Sequence, residues 1–252
     1  MFRMKIIGNF IAVNFRFIFN SKLKKNFLFV QTFNPTLLEP ENNAKMIAEI
    51  DCPDETKDNS GNFSIAISDD SSKVLVFYNL PYVKDKPESY GLQVYNNEMN
   101  LIWKNQETIP YNDNLFSIYE QIIDNQGNVW ILGRRFDEVT KEKRQDEANY
   151  KFQLLCYSDN GNTFTEYPLH YDDKFLINMK IAITPNRDMI CAGFYSTTGM
   201  NNAKGTYFLI IDDTTKTIKS INTKDFELDF ILPGLGDITD EKTEKRTKKS
   251  GN

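Results

Sequence analysis

Apolar residues along this chain keep a period of two over short runs, and the runs come in pairs. In FSIAISDDSSKVLVFY (63–78), Phe63, Ile65 and Ile67 alternate with small or polar residues, an Asp/Ser cluster follows, and a second apolar run takes over. Alternation of this kind is a strand's signature, and the Asp/Ser cluster marks a hairpin turn. The same order returns in FSIYEQIIDNQGNVWILG (116–133) and INMKIAITPNRDMICAGFY (177–195), with the turns at Asp69-Asp70, Asp124-Asn125 and Pro185-Asn186. A second hairpin follows each: YGLQVYNNEMNLIWK (90–104), YKFQLLCYSDNGNTFTEY (150–167) and TYFLIIDDTTKTIKSI (206–221). NFLFVQTFNPTLLEP (26–40) fits the outer hairpin of an earlier unit whose first strands lie within 5–19, where Phe15, Phe17 and Phe19 alternate with Asn14, Arg16 and Ile18.

These units recur about every 55–60 residues. Apolar spacing of three and four, the mark of an amphipathic helix, is absent until the last twenty residues. One four-stranded meander cannot bury both faces until neighbours stack on it, so the pattern predicts an all-β fold, a β-propeller of four-stranded antiparallel blades. Four blades are expected at 5–51, 62–110, 115–170 and 175–232, within a propeller region 1–236. The start within a strand-like segment, and LDFILPGLG leading into DITDEKTEKRTKKSGN (237–252), point to an incomplete ring from a larger protein, with open edges inclined to self-association. The charged tail reads as disordered or a frayed helix.

CYSDNGNTF (156–164), through Asp159, Gly161, Thr163 and Phe164, resembles the Asp-box turn of sialidase-type propellers, with Tyr157 where that pattern prefers Ser. DNQGNVWILG (124–133), through Asp124 and Gly127, resembles the inner hairpin of bacterial repeat propellers. Over 5–232 the chain resembles bacterial propellers of the cell envelope, which implies an envelope or secreted address. No signal peptide accompanies it, because Asn9, Asn14 and Arg16 interrupt the apolar start and no small-x-small cleavage site follows. No uncharged apolar run is long enough to span a bilayer as a helix.

Composition narrows the chemistry. A chain of 252 residues that is 40% hydrophobic and 26% charged is globular rather than disordered. Thirty basic against 35 acidic residues provide no basic field for nucleic acid. Cys52, Cys156 and Cys191 are odd in number and widely spaced, which excludes a disulfide scaffold; with His170 as the single histidine, no metal site or cofactor is expected. The aspartate doublets Asp69-Asp70, Asp172-Asp173 and Asp212-Asp213 read as turn residues rather than catalytic carboxylates or a calcium loop.

The longest connections, 80–89 and 137–149, both join second to third strands and so share one face of a propeller, where binding residues collect. Arg134 and Arg135 at the rim, with Tyr82 and Tyr90 as exposed aromatic anchors, are the candidate binding residues; side by side in a strand, the two arginines point to opposite faces. The resulting expectation is a non-enzymatic propeller module that binds a protein or glycan partner. The alternative, a sialidase-like hydrolase or lyase, needs several converging arginines with a Tyr/Glu nucleophile pair and an acid.

Overall fold

The computed structural model describes residues 2–7, 11–34, 36–37, 39–52, 62–81, 87–112, 115–136, 150–170, 174–197 and 203–227. These form sixteen strands and no α-helix. Blade 1 holds β1 (Phe2–Ile7), β2 (Ile11–Asn20), β3 (Lys25–Phe33) and β4 (Lys45–Asp51). Blade 2 holds β5 (Phe63–Ile67), β6 (Lys73–Asn79), β7 (Pro87–Asn96) and β8 (Leu101–Asn112). Blade 3 holds β9 (Phe116–Ile123), β10 (Val129–Phe136), β11 (Tyr150–Ser158) and β12 (Thr163–Leu169). Blade 4 holds β13 (Phe175–Ile183), β14 (Met189–Ser196), β15 (Gly205–Ile211) and β16 (Ile218–Asp225). Within each sheet the strands pair antiparallel in chain order, so each is a simple meander, and the fold is the β-propeller type expected from the repeat.

Strand parity assigns the core residues of each central strand to one blade interface or the other. On β6, Val74, Val76 and Tyr78 face blade 1 while Leu75 and Phe77 face blade 3. On β10, Val129 and Ile131 face blade 2 while Trp130 and Leu132 face blade 4. The central strands of a blade covered on both sides must therefore be apolar at every position, which is why VLVFY and VWIL run unbroken where outer strands alternate. Each such large side chain taken from water contributes about 1.5–3 kcal/mol. Three cores result, between blades 1 and 2, 2 and 3, and 3 and 4. Among the described residues no fourth core joins blade 4 to blade 1, so the blades form an open arc.

The first blade departs from the expected hairpin at 26–40. Its outer arm is KMIAEID in β4, not TLLEP. The Asn34 side chain accepts from the amides of Thr36 and Leu37 and turns the chain there, and Pro40 makes only an isolated bridge to Phe33. Proline cannot donate to a ladder, so the pairing passes to the alternating run beyond it.

The meander separates the two ends of the arc. At the turn end lie the tight hairpins at 68–72, 96–100, 124–128, 159–162, 184–188 and 212–217. At the connection end lie the links from β6 to β7, β10 to β11 and β14 to β15, most of which fall outside the described residues together with the tail 237–252.

Candidate functional site

Arg134 and Arg135 stand near the connection end of β10 and point to opposite faces of blade 3. The Arg135 guanidinium lies over the ring of Tyr111, 4.6 Å from its centroid, on the blade 2 side. Tyr111 in turn stacks on Phe116 with centroids 5.7 Å apart and accepts from Gln153 Nε2 at 3.2 Å. On the blade 4 side, the Arg134 guanidinium is enclosed by three rings, 4.5 Å from Tyr119, 4.7 Å from Tyr150 and 5.2 Å from Phe152. Its Nε is buried without a hydrogen-bond partner, and among the described residues no carboxylate lies within ion-pair distance of it. Ring faces attract a cation without saturating its N–H groups, so Arg134 keeps donors for an external anion.

The strand register explains how Tyr119 reaches this position. Leu132 pairs with Glu120 and Gly133 with Ile118, which leaves Tyr119 as the extra residue of a β-bulge in the innermost strand of blade 3. A bulge re-aims the side chain it carries. Blade 4 repeats the device: Ile177 is skipped between the Leu176–Tyr195 and Asn178–Phe194 pairs, and its freed carbonyl accepts from Tyr150 Oη at 2.7 Å. That bond fixes the rear wall of the cage. Burial pushes the Tyr150 phenol above its ordinary range, against the opposing pull of Arg134.

Beside the cage, Lys180 Nζ on β13 pairs with Glu120 Oε1 at 3.3 Å and sits 5.7 Å from the Tyr119 centroid. The other carboxylate oxygen of Glu120 is buried and without a partner. Tyr119, Lys180, Ala192, Phe194 and Phe208 line a cleft of about 280 Å³ on the far face of blade 4. The sequence reading missed Tyr119, Glu120 and Lys180. A signal existed in the broken alternation of β9, whose residues facing blade 2 fall at 116, 118 and 123 and so change phase between Ile118 and Ile123.

Tyr90 is not the exposed anchor expected of it. It is 1% exposed, because Gly91 and Leu92 continue β7 into the interior, and it packs in the core between blades 2 and 3 with its hydroxyl bonded to that of Tyr157. Burial drives both phenols well above the ordinary tyrosine range. Tyr82 lies outside the described residues.

The turn residues divide by what their side chains hold. Asp124, 4% exposed, accepts from the amides of Gln126 and Asn128 at 2.9 Å each, from Asn128 Nδ2 at 2.8 Å and from the Trp130 indole at 3.3 Å. Gly127 closes that turn at φ +89°. Asp159 is exposed, and the turn bonds there run to its backbone carbonyl, from Asn162 N and Nδ2. Gly161 has φ +81°, and a Cβ on it would stand 2.7 Å from Asn105 and 2.9 Å from Trp103 of blade 2. Thr163 opens β12 opposite Ser158, and Phe164, 46% exposed, leans on Tyr157 with centroids 5.0 Å apart.

Of the aspartate doublets, Asp70 accepts from Ser72 N and Ser68 Oγ, and Asp212 caps Thr214 and Thr215. Asp213 is instead a buried ion-pair partner of Arg187 and Lys216, each at 3.2 Å; Asp172 and Asp173 lie outside the described residues. All three cysteines are buried, and burial pushes the Cys156 and Cys191 thiols up to about 12, out of reach of thiolate chemistry at neutral pH. Among the described residues no three His, Cys, Asp or Glu side chains gather to hold a metal ion, and no helix is long and apolar enough to cross a membrane.

No protein-family model and no curated protein matches the chain. Solved structures similar to it include an ACO/RPE65 chimera (8% identity, TM-score 0.44, 89% of this chain and 49% of that one). They also include the β-propeller domain of the trilobed protease from Pyrococcus furiosus (9% identity, TM-score 0.33, 90% and 81%). A third is the endo-arabinase from Bacteroides thetaiotaomicron (9% identity, TM-score 0.29, 85% and 93%). The chain spans about half the length of the chimera. At this identity and similarity the comparisons carry no functional argument, and the propeller architecture rests on the chain's own four meanders.

Proposed function

We propose that this chain is a non-enzymatic β-propeller module that binds a protein or glycan partner at its connection end, with Arg134 as the fixed cation of the contact. One observation carries the reading: a guanidinium held between the rings of Tyr119, Tyr150 and Phe152, with a buried unpartnered Nε and no carboxylate within ion-pair distance among the described residues. Stacking fixes the plane of the guanidinium, and a planar fork suits a carboxylate or sulfate group on the partner.

A hydrolase of the sialidase-like kind would need further arginines to converge on the same anion, and Arg135 faces the opposite side of the blade. That separation favours binding over catalysis. The test is a screen of the immobilised full chain against carboxylated and sulfated glycans and acidic peptides. We expect a ligand whose affinity falls at least about tenfold in Arg134→Ala, the scale of one charge-assisted hydrogen bond. Arg134→Lys should fail to rescue it, because an ammonium cannot reproduce the fork. Equal binding by wild type and Arg134→Ala, or no binding by the wild type across the screen, would refute the assignment.

A further inference from the structure

The cage around Arg134 and the cleft on the far face of blade 4 share one side chain. The Tyr119 ring centroid stands 4.5 Å from the Arg134 guanidinium, and the same residue lines the cleft of about 280 Å³. Two further walls are Phe194 and Phe208, 41% and 44% exposed, with Ala192 and Gly193 beside them. Parity sets their side. Tyr195, Tyr207 and Leu209 turn into the core with blade 3, so Phe194 and Phe208, which alternate with them, turn out. Phe194 is held in place, its ring 5.8 Å from that of Phe226 and its amide donating to Asn178 Oδ1 at 3.0 Å.

Two properties of the cleft select its occupant. The first is that its polar side chains are already engaged: Lys180 with Glu120 at 3.3 Å, Asn178 with the Phe194 amide, and Thr206 Oγ1 with the Lys224 carbonyl at 3.5 Å. A sugar pressed against Phe194 and Phe208 would take hydroxyls out of water with few groups left to receive them. An aromatic side chain carries no such cost and gains the ring contacts. The second property is charge. Strands β13–β16 hold one acid, Asp225, and it bonds to Tyr195 on the blade 3 side. Glu120 reaches across from blade 3 and offsets Lys180, so among the described residues Arg134 and Lys224 leave the surroundings of the cleft cationic.

We infer that the cleft takes an aromatic side chain of an acidic peptide, whose carboxylate meets the Arg134 guanidinium while the ring enters between Tyr119, Phe194 and Phe208. This rests on the binding role proposed for Arg134 and selects the protein partner over the glycan. Side chains two apart on an extended peptide lie on one side, about 7 Å from each other, which is enough to reach past a ring 4.5 Å from the guanidinium.

The experiment titrates the nitrogen-15-labelled full chain with the peptide Gly-Ser-Gly-Glu-Gly-Phe-Gly-Ser-Gly at millimolar concentration and follows the amide resonances of Gly193 and Phe194. Both should shift. Replacing the peptide's Phe by Ala should weaken binding about tenfold, the scale of one buried aromatic side chain, and replacing its Glu by Gln should weaken it about as much. Ala192→Leu, at a position that belongs to none of the three cores, fills the cleft and should erase the difference between the Phe and Ala peptides while keeping that between Glu and Gln. Phe208→Ala, which removes a wall instead, should act in the same direction, with far-ultraviolet circular dichroism reporting intact sheets in both. Equal affinity for the Phe and Ala peptides, with Arg134→Ala still weakening both, overturns this inference and leaves the role of Arg134 standing. Tighter binding of tri-galacturonic acid, shifting the same two amides, also overturns it, because the cleft would then serve a glycan. Absence of any shift at Gly193 and Phe194 with the Phe peptide overturns it whatever Arg134→Ala does elsewhere.

Discussion

The two ends of the arc are made by the same sixteen strands and solve opposite problems. At the turn end the hairpins of blades 2 to 4 are short, and several of these turns are tied to one another across blades. Trp103 Nε1 donates to the Gly127 carbonyl at 3.2 Å, Asn105 Nδ2 to the Gly161 carbonyl at 2.9 Å and Tyr167 Oη to the Lys216 carbonyl at 2.6 Å. Buried Asp213 gathers Arg187 and Lys216 at the same end. The connection end leaves donors and acceptors over: Arg134 Nε and Glu120 Oε2 are buried without partners, and exposed Tyr119 is turned out by a bulge. At the turn end Thr184 Oγ1, a neutral hydroxyl, is also buried without a partner, whereas the atoms left over around the cage belong to charged groups, which bind more strongly. Rigidity at one end is what lets the other hold a guanidinium in a fixed plane.

The comparison breaks most severely at Asp124. Its carboxylate satisfies two backbone amides, one side-chain amide and the Trp130 indole in the interior, so Asp124→Ala strands several buried donors at once. The expected loss is about 3 kcal/mol in urea unfolding. Arg134→Ala, in contrast, should leave the midpoint nearly where it is. If the two variants unfold alike, the division of labour between the ends is wrong.

A smaller effect separates two turns that look alike in sequence. Gly161→Ala puts a Cβ against Trp103 and Asn105 at a positive φ, and should cost about 1–3 kcal/mol. Asp159→Ala removes an exposed carboxylate whose backbone carbonyl, not its side chain, serves the turn, and should change stability by no more than about 0.5 kcal/mol. Thermal unfolding of the pair decides it, and a larger loss in Asp159→Ala would show that the side chain caps the turn after all.

This contrast also marks what could be read from residues alone. Propeller blades were legible because a strand covered on both faces must be apolar throughout, and VLVFY and VWIL announce that without any partner being known. Turns were legible because Asp124 and Gly127 are the residue types that such geometry requires. Tyr90 misled, since an aromatic beside a long connection looks the same in sequence whether the strand pleat sends it out or in; only the pairing of Asn79 with Tyr90 fixes which. The cage around Arg134 was half visible. The arginine stood out, but its rings come from β9 and β11, at separations that local alternation cannot register, and Tyr119 reaches it only through a bulge that inserts one residue into the period.

The mildest way to sharpen the comparison is acid. Asp212 at the turn end is held below the ordinary carboxylate value of 3.8 by the Thr215 amide first, then the Thr215 hydroxyl and the Thr214 amide. Asp225, where β16 reaches the connection end, is held below 3.8 chiefly by the hydroxyl of Tyr195, with Lys204 adding to it. A carboxylate with a depressed folded value favours the folded state fully above its unfolded value. That contribution is lost as pH falls through the folded value. Stability should therefore be level above about pH 5 and decline below pH 4, with Asp212→Asn and Asp225→Asn each flattening part of the decline. Salt distinguishes them: the part owed to Asp225 includes the exposed ion pair to Lys204 and should shrink at high ionic strength, while the hydrogen-bonded cap at Asp212 should persist. Urea midpoints measured from pH 3 to 7 at low and high salt give both answers, and an acid slope unchanged by either substitution would mean that these carboxylates keep their unfolded affinity for protons.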